Sequence, residues 1–173
     1  MLSPQDLLVA LKLLQEDAPS YSYSLLGRSI GLSHTQVHQA HERLVASRLL
    51  RAGSSSPIRS SLVSVLTKGV PYFLPAPPQG DALVRGVATG CCVAPLPGSD
   101  AQRLVWPDEE GQAEGYAVQP LCTEAVQAAR LDPQLHQLLA LTDLVRSHRS
   151  SLRERSLAAQ RLEHLILEPV AMY

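Results

Sequence analysis

Proline placement is the strongest constraint on how this chain can fold. Seven of its 13 prolines (Pro75, Pro77, Pro78, Pro95, Pro97, Pro107, Pro120) lie between positions 75 and 120. A proline inside a helix removes a backbone donor and clashes with the preceding turn. Long helices are therefore excluded from this middle stretch. Its short apolar runs, 82–87, 104–106 and 116–118, predict strands joined by irregular loops. The flanking sequence is helical on both sides, so the expected class is α+β.

The front opens with a helix signature. Ser3 is placed to cap, Pro4 suits the first helical position, and Asp6 stands where a capping-box acid reaches back. Leu7, Leu8, Ala10, Leu11, Leu13 and Leu14 form an apolar face, and Asp17-Ala18-Pro19 reads as the stop. A second helix is expected over about 23–30, with Leu25, Leu26 and Ile30 inward and Gly31 as left-handed terminator. Ser33 caps a third helix running to about Ser47, with Gln36 three residues on and Val37, Ala40 and Leu44 at helical spacing. Leu49-Leu50 reads as the start of a short strand, and 52–57 as a loop. Another helix is expected from Ser56-Pro57 to a stop at Gly69, carrying Ile58, Leu62, Val65 and Leu66 on one face, followed by a strand over 70–74. No β-hairpin wing is legible after the third helix, because 57–68 has helical spacing. At the other end, 123–130 reads as a short helix, Asp132-Pro133 starts a longer one with Leu135, Leu138, Leu141 and Val145 inward, and Ser150 or Ser151 starts a last one using Leu152, Leu157, Leu162, Leu165 and Ile166. The two long helices, separated by about two residues, are expected to form an antiparallel hairpin.

Charge divides the chain in the same places. Residues 1–75 hold seven Lys/Arg against four Asp/Glu, and residues 76–173 hold eight against twelve, so a net −1 conceals a basic front and an acidic back. This predicts two units, 1–75 and 76–173, with separate roles. Apolar residues at 45% suffice for a buried core, and charged residues at 18% are too few for a disordered chain. No run approaches the roughly 20 apolar residues of a membrane span. The opening residues lack the basic region and cleavage site of a secretory signal. Three cysteines, two of them adjacent (Cys91, Cys92), build no disulfide framework and fit a reducing cytoplasm.

The most informative segment is 25–50. A short helix joins a longer one through Gly31-Leu32-Ser33, which supplies in order a residue tolerant of positive φ, an apolar plug and a cap. Gly27 is small where two helices must cross closely. The expected result is a helix-turn-helix. Gly27, Gly31-Leu32-Ser33, Val37, Arg43-Leu44 and Leu49-Leu50 together resemble the MarR-like and related bacterial winged-helix transcription regulators over residues 3–50. In that family a glycine often precedes the closing Leu-Leu, where this chain has Ser47-Arg48. The resemblance implies a winged-helix-like unit at the front, sequence-specific binding of double-stranded DNA in transcription control, and a homodimeric repressor reading a two-fold site. A looser resemblance of layout links the chain to antitoxin and abortive-infection repressors, in which a winged helix precedes a strand-containing region opening with a short apolar strand. It implies that the back of the chain binds a protein partner.

A recognition helix enters the major groove end-first, so residues near its start reach base edges. Spacing at about 100° per residue turns Val37, Ala40 and Leu44 to the core and Thr35, Gln39 and Glu42 away from it, with Gln36, His38 and Arg43 on the flanks. Gln pairs with adenine, Thr meets a thymine methyl, and Arg suits guanine or phosphate. The candidate DNA contacts are Ser33, His34, Thr35, Gln36, His38, Gln39 and Arg43, with Arg28 and Arg48 on phosphate. A formal +3 front is thin for affinity that rests on counterion release, which is a reason to expect a dimer.

Rival chemistry has less support. His34, His38 and His41 fall within about 60° on one helix face, where two imidazoles one turn apart suit zinc. This frames a third hypothesis, a metal- or ligand-responsive sensor, but no cysteine or suitably placed carboxylate completes a ligand set. Cys91 and Cys92 read as small core residues, and Asp108-Glu109-Glu110 with Glu114 as an acidic turn. The basic run 146–155 fits the end of a helix, with Arg149 and Arg153 as alternative phosphate contacts. No phosphate loop, nucleophile elbow or zincin motif is present. The expectation is therefore a non-enzyme with no cofactor and no metal.

Overall fold

A computed structural model of the chain describes residues 1–15 and 22–168. It is a mixed α+β structure with a small three-stranded sheet. The expected stop at Asp17-Ala18-Pro19 lies outside the described residues.

Helix α1 (Pro4–Leu13) begins as its sequence predicts. The Ser3 hydroxyl accepts from the Asp6 amide, and the Asp6 carboxylate accepts from the Ser3 amide. Its burial exceeds the expected single apolar face, since every residue from Asp6 to Leu13 is buried. A helix enclosed on all sides lies inside a core rather than on it. Helices α2 (Tyr23–Ile30) and α3 (His34–Ala46) pack on one side of α1, and α7 (Pro133–Arg146) meets it as well. The two polar side chains caught in α1 are both paired. Asp6 binds Arg43, and the Lys12 ammonium lies 2.7 Å from Asp132 at the start of α7.

After α3 the chain touches itself briefly. Leu50 bridges Pro57 in antiparallel fashion and the Ile58 amide donates to the Leu49 carbonyl at 2.8 Å, enclosing a loop over 51–56. The helix that follows departs from expectation at both ends. It starts at Arg59, not at Ser56-Pro57, and Gly69 does not stop it. Helix α4 (Arg59–Ser64) runs through a π-helical turn (Val65–Gly69) into α5 (Val70–Phe73). The expected strand over 70–74 is therefore helix. Pro71 follows directly on the π-helical turn, at the second position of α5, and Val70 is buried as a helical residue. The apolar run alone could not distinguish the two periods.

In the proline-rich middle, strand β1 (Leu83–Thr89) pairs antiparallel with β3 (Ala113–Ala117) through its first half and with β2 (Leu104–Pro107) through its second. Gly86 is the pivot, opposite both Pro107 and Ala113. β2 and β3 then close in parallel at Leu104–Tyr116 and Val105–Ala117. Under this sheet lies a sealed polar knot. The Asp143 carboxylate of α7 accepts from the Thr89 hydroxyl and the Trp106 indole, both at 2.7 Å, and from Arg146 Nε at 3.0 Å. Arg146 also donates to the carbonyls of Leu74 and Gln119. It is almost wholly buried, so it ties the end of the front unit to the back by three of its donors.

Helix α6 (Thr123–Leu131) leads to α7, which Asp132 caps by accepting from the Gln134 and Leu135 amides. Helix α8 (Leu152–Leu167) is capped by Ser151 with Glu154, and packs on α7 and α4. Leu135, Leu138, Leu141, Val145, Leu162 and Ile166 are buried as expected, whereas Leu152, at the first position of α8, is exposed. One contiguous apolar core runs through both halves, from α1–α3 to α6–α8. The junction at 75/76 is itself pinned, with the Ala76 amide donating to the Arg146 carbonyl and the His148 amide to the Ala76 carbonyl. No helix among the described residues is long and apolar enough to cross a membrane.

Candidate nucleic-acid interface

The turn between α2 and α3 follows its three residues in order. Gly31 sits at φ +76, the left-handed region where a β-carbon is strained. Leu32 is buried, and Ser33 caps α3 in a full box with Gln36. A β-carbon on Gly27 would overlap the Leu32 carbonyl and press on Val37, so the two helices cross at contact distance there. Within α3, Val37, Ala40 and Leu44 are fully buried. Leu25 of α2, expected inward, is 53% exposed.

The opposite side of α3 is open. Ser33, His34, Thr35, Gln36, His38, Gln39 and Glu42 are all exposed, and Arg28 and Arg48 flank them from α2 and from the end of α3. The side chains of Thr35 and Gln39 make no hydrogen bond among the described residues. Gln36 is partly committed, because its Oε1 accepts from the Ser33 amide at 2.9 Å, leaving its NH2 for an outside acceptor. His38 Nδ1 lies 4.0 Å from Glu42, one turn along.

Arg43 has another role. Its Nε and Nη2 grip the two oxygens of Asp6 at 2.9 and 2.8 Å, and Asp6 is fully buried. This two-point ion pair raises the already high guanidinium pKa, chiefly through the hydrogen bond to Asp6. Two of the three nitrogens that would read guanine are already engaged by Asp6, bracing α3 against the capped end of α1. Arg48 adopts φ +58, and among the described residues no other non-glycine has positive φ. It stands where the resemblance leads one to expect glycine, with its side chain exposed.

The basic excess of the front is smaller at the surface than its formal count. Lys12, Arg43 and Arg59 are engaged internally, Arg59 donating to the Ile166 and Leu14 carbonyls. Arg28, Arg48, Arg51 and Lys68 are exposed and make no ion pair among the described residues. Arg51 was not among the sequence candidates. It opens the 51–56 loop, whose Ser54 carbonyl is tied to His41 Nε2 at 3.2 Å, and the Leu50–Pro57 bridge that closes this loop has no local sequence signal.

The histidine stripe gathers around one ring. The Tyr23 centroid lies 5.6, 5.4 and 5.5 Å from those of His34, His38 and His41. No group of three or more His, Cys, Asp or Glu placed to hold a metal occurs among the described residues.

The other sequence candidates resolve as structural features. Arg149 lies 4.3 Å over the Tyr116 ring and donates to Gln102, to the Gly80 carbonyl and to Asp81, so its guanidinium is occupied, while Arg153 is exposed. Asp108 accepts from the Glu110 amide and pairs with Arg130 at 2.8 Å, forming the acidic turn. Cys91 is half-buried and Cys92 exposed, so neither is the core residue expected. Burial pushes the Cys91 thiol up, and the more deeply buried Cys122 thiol up to about 12, which keeps both protonated at neutral pH.

No family model matches the chain, and no curated protein or solved structure matches it.

Proposed function

We propose that this protein is a sequence-specific DNA-binding transcriptional regulator whose winged-helix-like front unit presents α3 to the major groove. The observation that carries the reading is the division of α3 into two faces. Val37, Ala40 and Leu44 are fully buried, and the uninterrupted opposite face from Ser33 to Gln39 is exposed and rich in groups suited to base edges. Thr35, Gln39, His34 and His38 act on bases, with Gln36 contributing its free NH2. Arg28 and Arg48, joined by Arg51 on the stub loop, act on phosphate. Arg43 supports the helix from behind through Asp6. With so few free cations per copy, useful affinity calls for a homodimer on a two-fold site, and the exposed face of α8, not the buried α7, is the part of the back hairpin open to assembly.

The test is retention of the whole protein on labelled duplex DNA. Retention should fall steeply with salt, and Gln39→Ala should weaken it about tenfold or more on a selected site. A folded protein that ignores duplex DNA even at about 50 mM salt would refute the reading.

A second reading, a protein-interaction module, draws on the adjacent aromatics of α5. Tyr72 is 84% and Phe73 47% exposed, an arrangement common at contact surfaces. It no longer draws on a strand at 70–74, since that segment is helical. Co-purification of a partner that Tyr72→Ala releases, without DNA retention, would favour it.

A further inference from the structure

We infer that α8 is a self-recognition surface, on which the exposed face of one copy packs against the same face of a second, antiparallel about a two-fold axis at the level of residue 158. The pairing takes its purpose from the homodimer of the reading above, but it needs no DNA and is tested without it.

Arg153, Ser156, Gln160, Glu163 and Leu167 are exposed along α8 at spacings of three, four, three and four residues. At about 100° per residue they fall within about 80° of arc. Such a stripe is the seam that one packed helix presents to another. The reverse side of α8 is already taken, since Ala158, Leu162 and Ile166 are buried where it meets α7 and α4. The polar side chains of the seam make no hydrogen bond or ion pair among the described residues.

The two charges of the seam are placed against the helix's own field. Arg153 stands in the first turn of α8, where free N–H groups favour an acid, and Glu163 stands in its C-terminal half, toward carbonyls that favour a base. Neither has an opposite charge three or four residues away along the helix. They are about 15 Å apart along its axis, too far to meet within one copy. A second copy laid antiparallel resolves both. With Ser156 opposite Gln160 of the partner, each Arg153 lies opposite Glu163 of the partner. Each charge then stands toward the end of the neighbouring helix whose partial charge it complements. Leu152, 81% exposed, comes against the partner's His164. The parallel arrangement would set Arg153 against Arg153 and Glu163 against Glu163, so charge selects the antiparallel one. A two-fold axis here also relates the two copies of α3, as a palindromic site requires. The seam holds few apolar side chains, so the dimer is weak and concentration-dependent.

Sedimentation velocity of the whole protein from about 1 to about 500 μM measures the pairing. The native protein should pass from monomer to dimer across that range. Arg153→Glu and Glu163→Arg should each weaken dimerisation about tenfold or more, because each converts two ion pairs into two like-charge contacts. Each also gives α8 the sign its dipole favours, so circular dichroism should show both variants folded. The two reversals combined should recover native dimerisation to within about threefold. Arg161→Glu, the same charge change about 120° round the helix from the middle of the seam, should leave it unaltered. A protein monomeric throughout, single reversals without effect, equal weakening by Arg161→Glu, or a combined variant no better than the singles would overturn the pairing. DNA retention by a protein that stays monomeric would overturn the pairing and leave the DNA reading in place. A reversal-sensitive dimer that ignores duplex DNA would support the pairing and refute the DNA reading.

Discussion

Two buried aspartates, one in each half of the molecule, hold an arginine in different surroundings. Asp6 grips Arg43, whose side chain is 38% exposed, so this ion pair has one end in solvent. Asp143 grips Arg146, Thr89 and Trp106, and all four groups are buried. A buried charge is tolerable only while its partners stay in place. The front pair can be opened and partly rehydrated, whereas the back knot has no access to water. The unit proposed to meet DNA is thus held by an adjustable brace, and the sheet by a fixed one.

Removing each brace tests that contrast. Asp143→Ala should be the most damaging change, because it strands an indole N–H, a hydroxyl and a guanidinium. A loss of about 3–5 kcal/mol is expected, read as a drop in the urea midpoint. Arg43→Ala should cost less, about 1–3 kcal/mol, because water can enter beside Asp6. If Arg43→Ala leaves stability unchanged and abolishes DNA binding, the residue belongs to the groove and the contrast fails. Arg48→Gly sharpens the comparison with opposite signs. Relief of positive φ should stabilise the fold by about 0.5–1 kcal/mol, while loss of a phosphate contact lowers the salt slope of DNA binding by about 0.9.

The smallest effect at neutral pH concerns the thiols. Cys92 should react with a thiol reagent at once, Cys91 more slowly, and Cys122 only on unfolding. Burial raises the Cys122 pKa to about 12, above its unfolded value. Its contribution to stability is therefore complete below the unfolded pKa, near 9, and is lost as pH rises toward 12. Cys122→Ala should flatten that alkaline decline.

Local signals in the sequence carried much of the front. Ser3 with Asp6, Ser33 with Gln36, the left-handed Gly31 and the spacing of Val37, Ala40 and Leu44 all act within a few residues, and each took the expected form. The Asp132-Pro133 start and the Ser151 cap were legible for the same reason. Features that escaped are non-local. The engagement of Arg43 by Asp6 spans 37 residues, and nothing near Arg43 announces it. The second covered side of α1 required knowing that α7 lies against it. The segment 70–74 was misassigned because a five-residue apolar run fits strand and helix alike, and the helical continuation from α4 decided the matter. The gathering of three histidine rings about Tyr23 escaped likewise, because the rings come from another helix.

The enclosure of α1 also bears on how the chain is made. Lys12 finds Asp132 across 120 residues, and α7 closes over a helix already packed by α2 and α3. During synthesis, α1 leaves the ribosome long before that covering helix exists, so part of its apolar surface must wait for the chain to reach the 130s. Contacts of such sequence separation slow folding. A nascent chain halted near residue 75 should be sticky, and the front half should settle only after its distant counterpart arrives.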